Sequence, residues 1–124
     1  MPIYMLIFAY MNTLLLDSIT AAKVEDSLPS KSGLTALAAF FDALSDVTRL
    51  KILSALTVSQ MCVSDIAAVT GLNQTTVSHQ LRILKGAHIV DGTRQGKVIF
   101  YGVESREIPT VMNTAVRAIM NGDF

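Results

Sequence analysis

The sequence is poor in the residue types that build disulfide frameworks and catalytic centres. Its 124 residues include one cysteine, two histidines and no tryptophan. The single cysteine, Cys62, excludes an intrachain disulfide, and such usage is expected in a reducing cytoplasm. The chain has no glycine-rich phosphate loop, no CxxC or HxxxH pattern, and no nucleophile and base at a recognisable spacing. We therefore expect a protein that is not an enzyme and carries no cofactor.

Charge is also scarce, and a strongly apolar stretch without any charge lies near the N-terminus. Residues 3–16 read IYMLIFAYMNTLLL. This stretch is shorter than the roughly 18 to 20 residues that cross a bilayer, and it lacks the basic residues that open a signal peptide. We expect a helix buried against a partner subunit rather than a signal or a surface anchor. Residues 26–33 collect proline, glycine and serine, which predicts a linker after this helix.

A short helix with one apolar and one polar face is predicted after Asn73. Val77, Leu81 and Leu84 recur at i, i+4 and i+7, which places them on one helical face. Asn73 is a suitable N-cap, and Gly71 gives a sharp turn after a preceding helix near residues 64–69. Two helices joined in this way form a helix-turn-helix, although an ordinary amphipathic surface helix has the same pattern. The polar side chains suit base edges and phosphates, and the predicted DNA contacts are Gln74, Thr75, Thr76, Ser78, His79 and Arg82.

A basic β-hairpin is predicted directly after this helix. Residues 88–93 and 98–103 include β-branched and aromatic side chains, and the segment Arg94, Gln95, Gly96 and Lys97 stands between them. A two-stranded ribbon with a cationic tip can follow the phosphate backbone or enter a narrow minor groove. We therefore predict a wing that contacts DNA through Arg94, Gln95 and Lys97.

Positive charge is concentrated in the predicted helix and wing. Residues 74–97 contain four cations and the single anion Asp91, although the whole chain holds ten residues of each sign. This local surplus predicts DNA binding that weakens with salt, because each neutralised phosphate releases a counterion. Two copies in a symmetric dimer would double the contacts and match a DNA site with two-fold symmetry.

The other helical patterns are expected to form the scaffold of a mainly α-helical domain with one β-hairpin, the winged helix-turn-helix fold. Apolar residues at helical spacing predict helices over residues 34–44 and 50–56, the second capped near Ser45 or Asp46. A last helix over residues 108–120 has a wide apolar face, which covers its own core or a partner's. We favour dimerisation through the N-terminal and C-terminal helices, with residues 1–33 forming the interface segment and residues 34–124 the DNA-binding domain.

Two isolated basic residues have more specific expectations. Arg49 is placed either to reach a phosphate or to pair with Asp42 or Asp46, and a surface ion pair of this kind would contribute little to stability. His88 stands at the entry to the first predicted strand. There it is expected to be a hydrogen-bonded structural histidine.

Four motifs stand in order along most of the chain: LSDVTRLKILSAL at 44–56, MCVSDIA at 61–67, GLNQTTVSHQLRILKGAHIV at 71–90 and RQGKVIFYGV at 94–103. Together they resemble the ArsR/SmtB family of bacterial winged-helix repressors, over about residues 34–120. The resemblance implies a homodimeric repressor that releases its operator when an effector binds. It also implies that the major groove is contacted by Gln74, Thr75, Ser78 and His79, with residues 94–97 on the flanking backbone.

The metal sites that the resemblance implies are incomplete in this sequence. Where one family site carries a CVC motif, this chain has Cys62, Val63 and Ser64, so the second thiolate that a soft metal needs is missing. Another family site uses aspartate and histidine near the start of the last helix, and residues 105–107 contain no histidine. We therefore expect no metal site of a familiar kind. Cys62 has three interpretations: an inert small hydrophobic residue, a redox or thiol sensor, or a remnant metal ligand.

The sequence thus predicts a dimeric, sequence-specific repressor of the bacterial cytoplasm that leaves its operator on an effector or redox signal. Its expected partners are a double-stranded DNA operator with two-fold symmetry and a second copy of the chain, with no membrane. Two alternatives are a winged-helix protein-interaction module with vestigial DNA binding and a metal-responsive repressor with a non-standard site.

Overall fold

The computed structural model describes residues 2–3, 5–6 and 15–120. Within this part of the chain, no helix has both the length and the apolar character of a membrane span. The helix predicted over residues 3–16 lies largely outside the described residues. The chain forms two compact units, Met1–Leu34 and Thr35–Phe124.

The N-terminal unit contains a short helix, α1 (Ser18–Ser27), none of whose side chains is buried. Asp17 caps this helix, because its carboxylate accepts hydrogen bonds from the N–H and the hydroxyl of Thr20, both at 2.8 Å. The backbone bond and then the hydroxyl bond favour the charged carboxylate. Together they lower the pKa of Asp17 below its usual value.

The linker predicted at residues 26–33 is wrong at both ends. α1 continues to Ser27, and the next helix, α2 (Lys31–Leu44), begins ahead of Gly33. The serine that suggested a loop instead caps a helix, since Ser30 Oγ accepts a hydrogen bond from the N–H of Gly33 at 3.1 Å. Serine is common both in loops and at helix starts. The residues around Ser30 do not show which of these two structures forms.

The second unit is a mainly helical domain with an antiparallel hairpin, which confirms the predicted fold class. After the end of α2 its elements are α3 (Val47–Val58), α4 (Val63–Thr70), α5 (Gln74–Gly86), β1 (Val90–Gln95), β2 (Val98–Val103) and α6 (Glu107–Met120). Asp46 caps α3 as predicted, because its carboxylate accepts a hydrogen bond from the N–H of Arg49 at 3.0 Å.

Helices α3, α4 and α5 and the residues around the start of β1 enclose a hydrophobic core. The largest fully buried side chains are Ile52, Leu53, Ile66, Val77, Leu81, Leu84, Ile89 and Val90. Three of them are the predicted apolar positions of α5, and burying each contributes roughly 1.5 to 3 kcal/mol. The core therefore holds α5 by one face and leaves the opposite face free. Among the described residues of α6, only Ile108 is buried.

Helix α5 ends in a Schellman motif, a capping arrangement that the sequence did not predict. His88 lies ahead of β1, is exposed, and has a φ of 59°. Its N–H donates to Lys85 O and the N–H of Ile89 donates to Leu84 O, both at 3.0 Å. The expectation that His88 enters the strand as a structural histidine is therefore wrong, because the helix end needs a left-handed residue at this position.

Replacing His88 by glycine is expected to raise the free energy of unfolding by about 0.5 to 1 kcal/mol, because glycine adopts a positive φ without a clash of its Cβ. Urea denaturation at a fixed protein concentration measures the change. His79→Gly is a matched control, since this exposed histidine lies inside α5 and its replacement by glycine should instead destabilise the domain by about 1 kcal/mol. A less stable His88→Gly protein would contradict the prediction.

The hairpin has a two-residue turn, whereas a four-residue tip was predicted. Arg94 pairs with Ile99 and Gln95 with Val98 in the antiparallel ladder, so Gly96 and Lys97 alone form the turn. Gly96 has a φ of 65°, as the first position of some two-residue turns requires. The prediction ended β1 too early because the side chains of Arg94 and Gln95 are polar. A two-stranded ribbon can expose such side chains while its backbone remains paired.

Candidate nucleic-acid interface

The turn between α4 and α5 positions the polar face of α5. Gly71 ends α4 with a φ of 74°, and its N–H donates to Ala67 O at 3.0 Å. Two residues later Asn73 begins α5, its side-chain oxygen accepting a hydrogen bond from the N–H of Thr76 at 2.8 Å. The predicted cap at Asn73 and the predicted turn at Gly71 are therefore confirmed. The two helices and this short turn form a helix-turn-helix.

Five polar side chains of α5 line one open depression on the surface, which we call the reading face: Gln74, Thr75, Ser78, His79 and Arg82. All five are exposed, and none is a carboxylate. They lie opposite the buried positions of α5. Thr76, the sixth predicted contact of this helix, is half-buried and does not line the depression.

The wing residues Arg94, Gln95 and Lys97 are exposed, but they lie outside the reading face. Arg94 Nε donates to Gly96 O at 3.2 Å, so this guanidinium group folds over the turn. Lys97 instead lines a second groove, which also includes Gln74. Because Gln74 borders both surfaces, the groove connects the start of α5 with the tip of the wing.

Backbone hydrogen bonds join the wing to the residues that precede α4. Met61 and Tyr101 exchange two backbone hydrogen bonds: Met61 N–H donates to Tyr101 O at 3.0 Å, and Tyr101 N–H donates to Met61 O at 2.8 Å. The two residues of this bridge lie 40 positions apart in the sequence, so no local pattern predicts their contact. It fixes the base of β2 beside the start of α4.

Cys62 follows this bridge and lines the groove between Gln74 and Lys97. The residue is half-buried at the N-cap position of α4, and its Sγ lies 3.2 Å from Ser64 Oγ. The sequence left Cys62 as an inert residue, a redox or thiol sensor, or a remnant metal ligand. The structure places it in the same groove as two predicted DNA contacts. Within the described residues, no three His, Cys, Asp or Glu side chains gather as a metal site would require.

The guanidinium group of Arg49 makes contacts other than the predicted pair with an aspartate carboxylate. Its Nε donates to Ala43 O at 2.6 Å and its Nη2 to Asp42 O at 3.3 Å, so it binds backbone carbonyls at the end of α2. Its Nη1 donates to Gln80 Oε1 on α5 at 3.2 Å. The predicted pairing of Arg49 with an aspartate carboxylate is therefore wrong, because the carbonyls that end a helix are closer acceptors. Gln80 had not been predicted to have a role.

Helices α3 and α6 enclose an apolar groove of about 520 Å³. Its lining includes Leu50 of α3 and Met112, Val116 and Ile119 of α6. Ile119 is 80% exposed although it belongs to the apolar side of its helix. The wide apolar face predicted for the last helix is thus only partly covered within the described part of the chain, since Met112 and Val116 are half-buried and Ile119 is exposed.

Comparisons with known proteins agree with this geometry. The family model for bacterial regulatory proteins of the arsR family matches residues 46–91. The chain is 33% identical to a transcriptional repressor SmtB homolog of Synechocystis sp., over 70% of this chain and 66% of that protein. It is 35% identical to the transcriptional repressor SdpR of Bacillus subtilis, over 67% of this chain and 92% of that protein. The chain therefore spans just under two-thirds of the Synechocystis relative and most of SdpR.

A solved structure has the same architecture. The homodimeric winged helix-turn-helix DNA-binding domain Mb0332 of Mycobacterium bovis is 27% identical, with a TM-score of 0.66, covering 79% of this chain and 97% of that domain. The order of helices, the turn between α4 and α5, and the hairpin agree with the matched motifs. The chain belongs to the ArsR/SmtB family of bacterial winged helix-turn-helix transcriptional regulators.

Proposed function

We propose that the chain is a dimeric repressor that recognises a specific operator with α5 and holds the flanking DNA backbone with its wing. The reading face carries this proposal, because five polar side chains stand together there without a carboxylate. Exposed helix faces that serve only solubility normally carry glutamate and lysine. A face with amide, hydroxyl and imidazole groups instead matches the donors and acceptors of the major groove.

The lengths of these side chains suggest how α5 would lie on DNA. Thr75 and Ser78 are short, so they contact bases only if the helix backbone comes close to the floor of the groove. The major groove admits an α-helix to that depth. We assign Gln74, Thr75, Ser78 and His79 to base edges and place Arg82 beside them.

We assign Arg94, Gln95 and Lys97 of the wing to the sugar-phosphate backbone. The three side chains are exposed around the turn. Lys97 adds a positive charge to the groove that it shares with Gln74. Contacts of this kind orient the protein on the duplex without reading its sequence. Thr76 would support the start of α5, since its N–H is already bound by Asn73.

We further propose that two copies pair through α6 and through residues 1–33. The partly covered apolar side of α6 and the groove beside it offer the surface, and Ile19 of α1 is 70% exposed. The related domain from Mycobacterium bovis is homodimeric. Such a dimer would bind an operator with two-fold symmetry, its half-sites separated by about one helical turn or a multiple of it.

We propose that the protein acts in the cytoplasm and catalyses no reaction. Its relatives from Synechocystis and Bacillus subtilis are transcriptional repressors, and the DNA that such proteins bind lies in the bacterial cytoplasm. The reading face offers amide, hydroxyl, imidazole and guanidinium groups, which suit contacts to DNA.

The release of operator is proposed to follow either the binding of an effector or the oxidation of Cys62. Hydrogen peroxide would convert the thiol to a sulfenic acid and release water, and further oxidation would place a negative charge in the groove next to Lys97. We expect peroxide to weaken DNA binding by the wild type and to leave Cys62→Ser unchanged, as a mobility-shift assay would measure. Equal behaviour of the two proteins toward peroxide and a panel of metals would make Cys62 an inert residue and assign the signal to a separate effector.

Size-exclusion chromatography at low salt tests the proposal against a protein-interaction module with vestigial DNA binding. A random-sequence duplex should co-elute with the protein, because the cations of α5 and the wing bind phosphates of any sequence. The complex should dissociate as salt is raised. An elution volume that the duplex leaves unchanged at every salt concentration would favour the interaction module.

A further inference from the structure

Arg49 joins the end of α2 to the back of the helix that carries the reading face. Its guanidinium group uses three donors on three acceptors, the carbonyls of Asp42 and Ala43 and the side-chain oxygen of Gln80. Arg49 and Gln80 are both half-buried. A planar guanidinium group with donors in a fixed fork suits this arrangement, because it can hold several acceptors at once.

Gln80 lies on the side of α5 that faces away from DNA in the proposed complex. Because successive residues of an α-helix are about 100° apart, Gln80 lies roughly 170° around the helix from the centre of the reading face. It therefore contacts no base. The hydrophobic core holds α5 on a neighbouring side, through Val77, Leu81 and Leu84.

From this placement we infer that Arg49 and Gln80 are positioning residues, which set the rotation of α5 about its own axis and thereby the sequence preference of the reading face. Apolar packing is tolerant of small rotations, whereas a hydrogen bond has a direction. Side-chain tips lie roughly 5 to 6 Å from the helix axis, so a rotation of about 20° moves them by about 2 Å. Hydrogen bonds to base edges do not survive a displacement of that size.

The inference rests on the proposed function. It predicts one outcome for binding to a preferred sequence and another for binding to a random duplex. The phosphate contacts of the wing do not depend on the rotation of α5, so affinity for a random duplex should persist when Arg49 or Gln80 is changed. Affinity for a preferred sequence should fall. The measured quantity is the ratio of the two affinities, which loss of folded protein alone does not change.

The test uses the full chain, a duplex that the wild type selects from a random pool, and a random duplex of equal length. Gln80→Ala and Arg49→Lys should each lower the affinity ratio by about tenfold. Gln80→Glu should keep the ratio, because its carboxylate accepts the same hydrogen bond from Arg49. Thr57→Val is the control: it removes the hydrogen bond from Thr57 Oγ1 to Ser54 O in α3, remote from the reading face, and should also keep the ratio.

An unchanged ratio in Gln80→Ala would overturn the inference, as would an equal fall in Thr57→Val. Thermal denaturation of each variant shows how much folded protein enters the binding assay. A wild type that selects no sequence from the pool would overturn the proposed function, and the inference with it. That failure appears in the wild type itself and is thus distinct from a failure confined to the variants.

Discussion

Replacing Ser78 or His79 by alanine is expected to weaken binding to the selected duplex by roughly 1 to 3 kcal/mol, which is about a 5- to 150-fold loss of affinity. Both side chains line the reading face and are exposed, so their removal should leave the core intact. Both substitutions leave the arginine and lysine side chains of α5 and the wing in place. Binding to a random duplex should therefore change little, and mobility shifts with the two duplexes measure the difference.

Ser105→Ala provides a matched control for this prediction. Ser105 is also exposed, but it precedes α6 and is not part of the reading face or the wing. The control should bind both duplexes as the wild type does. If Ser78→Ala and His79→Ala also retained wild-type affinity for the selected duplex, base recognition would have to reside outside the reading face.

Replacing Leu84 by alanine is expected to lower the free energy of unfolding by about 2 to 5 kcal/mol. Leu84 is fully buried, and its carbonyl accepts the hydrogen bond from Ile89 that ends α5. A cavity at this position would loosen both the helix and its connection to β1. Because natural domains are stable by about 5 to 15 kcal/mol, the loss would take a large share of the total.

Urea denaturation at one protein concentration measures this loss, with Val58→Ala as the control. Val58 is 87% exposed at the end of α3, and its truncation should change stability by no more than about 0.5 kcal/mol. A Leu84→Ala protein as stable as the control would show that the apolar face of α5 does not hold the helix in place.

The parts of the fold that depend on neighbouring residues could be predicted from the sequence. The three core positions of α5 follow from helical periodicity, and the caps at Asn73 and Asp46 follow from residue types that bind free N–H groups. Both depend on residues within about one or two helical turns. The reading face followed from the same periodicity, since polar positions of a helix are fixed once its buried positions are known.

Features that depend on long-range contacts or on an ambiguous residue were not predictable. Arg49 has carboxylates near it in sequence, yet its acceptors are two helix carbonyls and a side chain 31 positions away. Cys62 and Lys97 line the same groove, and this arrangement depends on the bridge between Met61 and Tyr101. His88 was assigned to a strand because no local pattern shows where α5 ends.

A salt titration of Ser78→Ala and Lys97→Ala with the selected and random duplexes tests the central proposal most directly. That proposal is that the reading face recognises the DNA sequence while the wing binds the backbone. We predict that Ser78→Ala loses affinity for the selected duplex alone and keeps the wild-type salt dependence. Lys97→Ala should lose affinity for both duplexes and reduce the slope of log affinity against log salt by about 1. Wild-type binding of both duplexes by both variants, at every salt concentration, would contradict the proposal that this surface binds DNA.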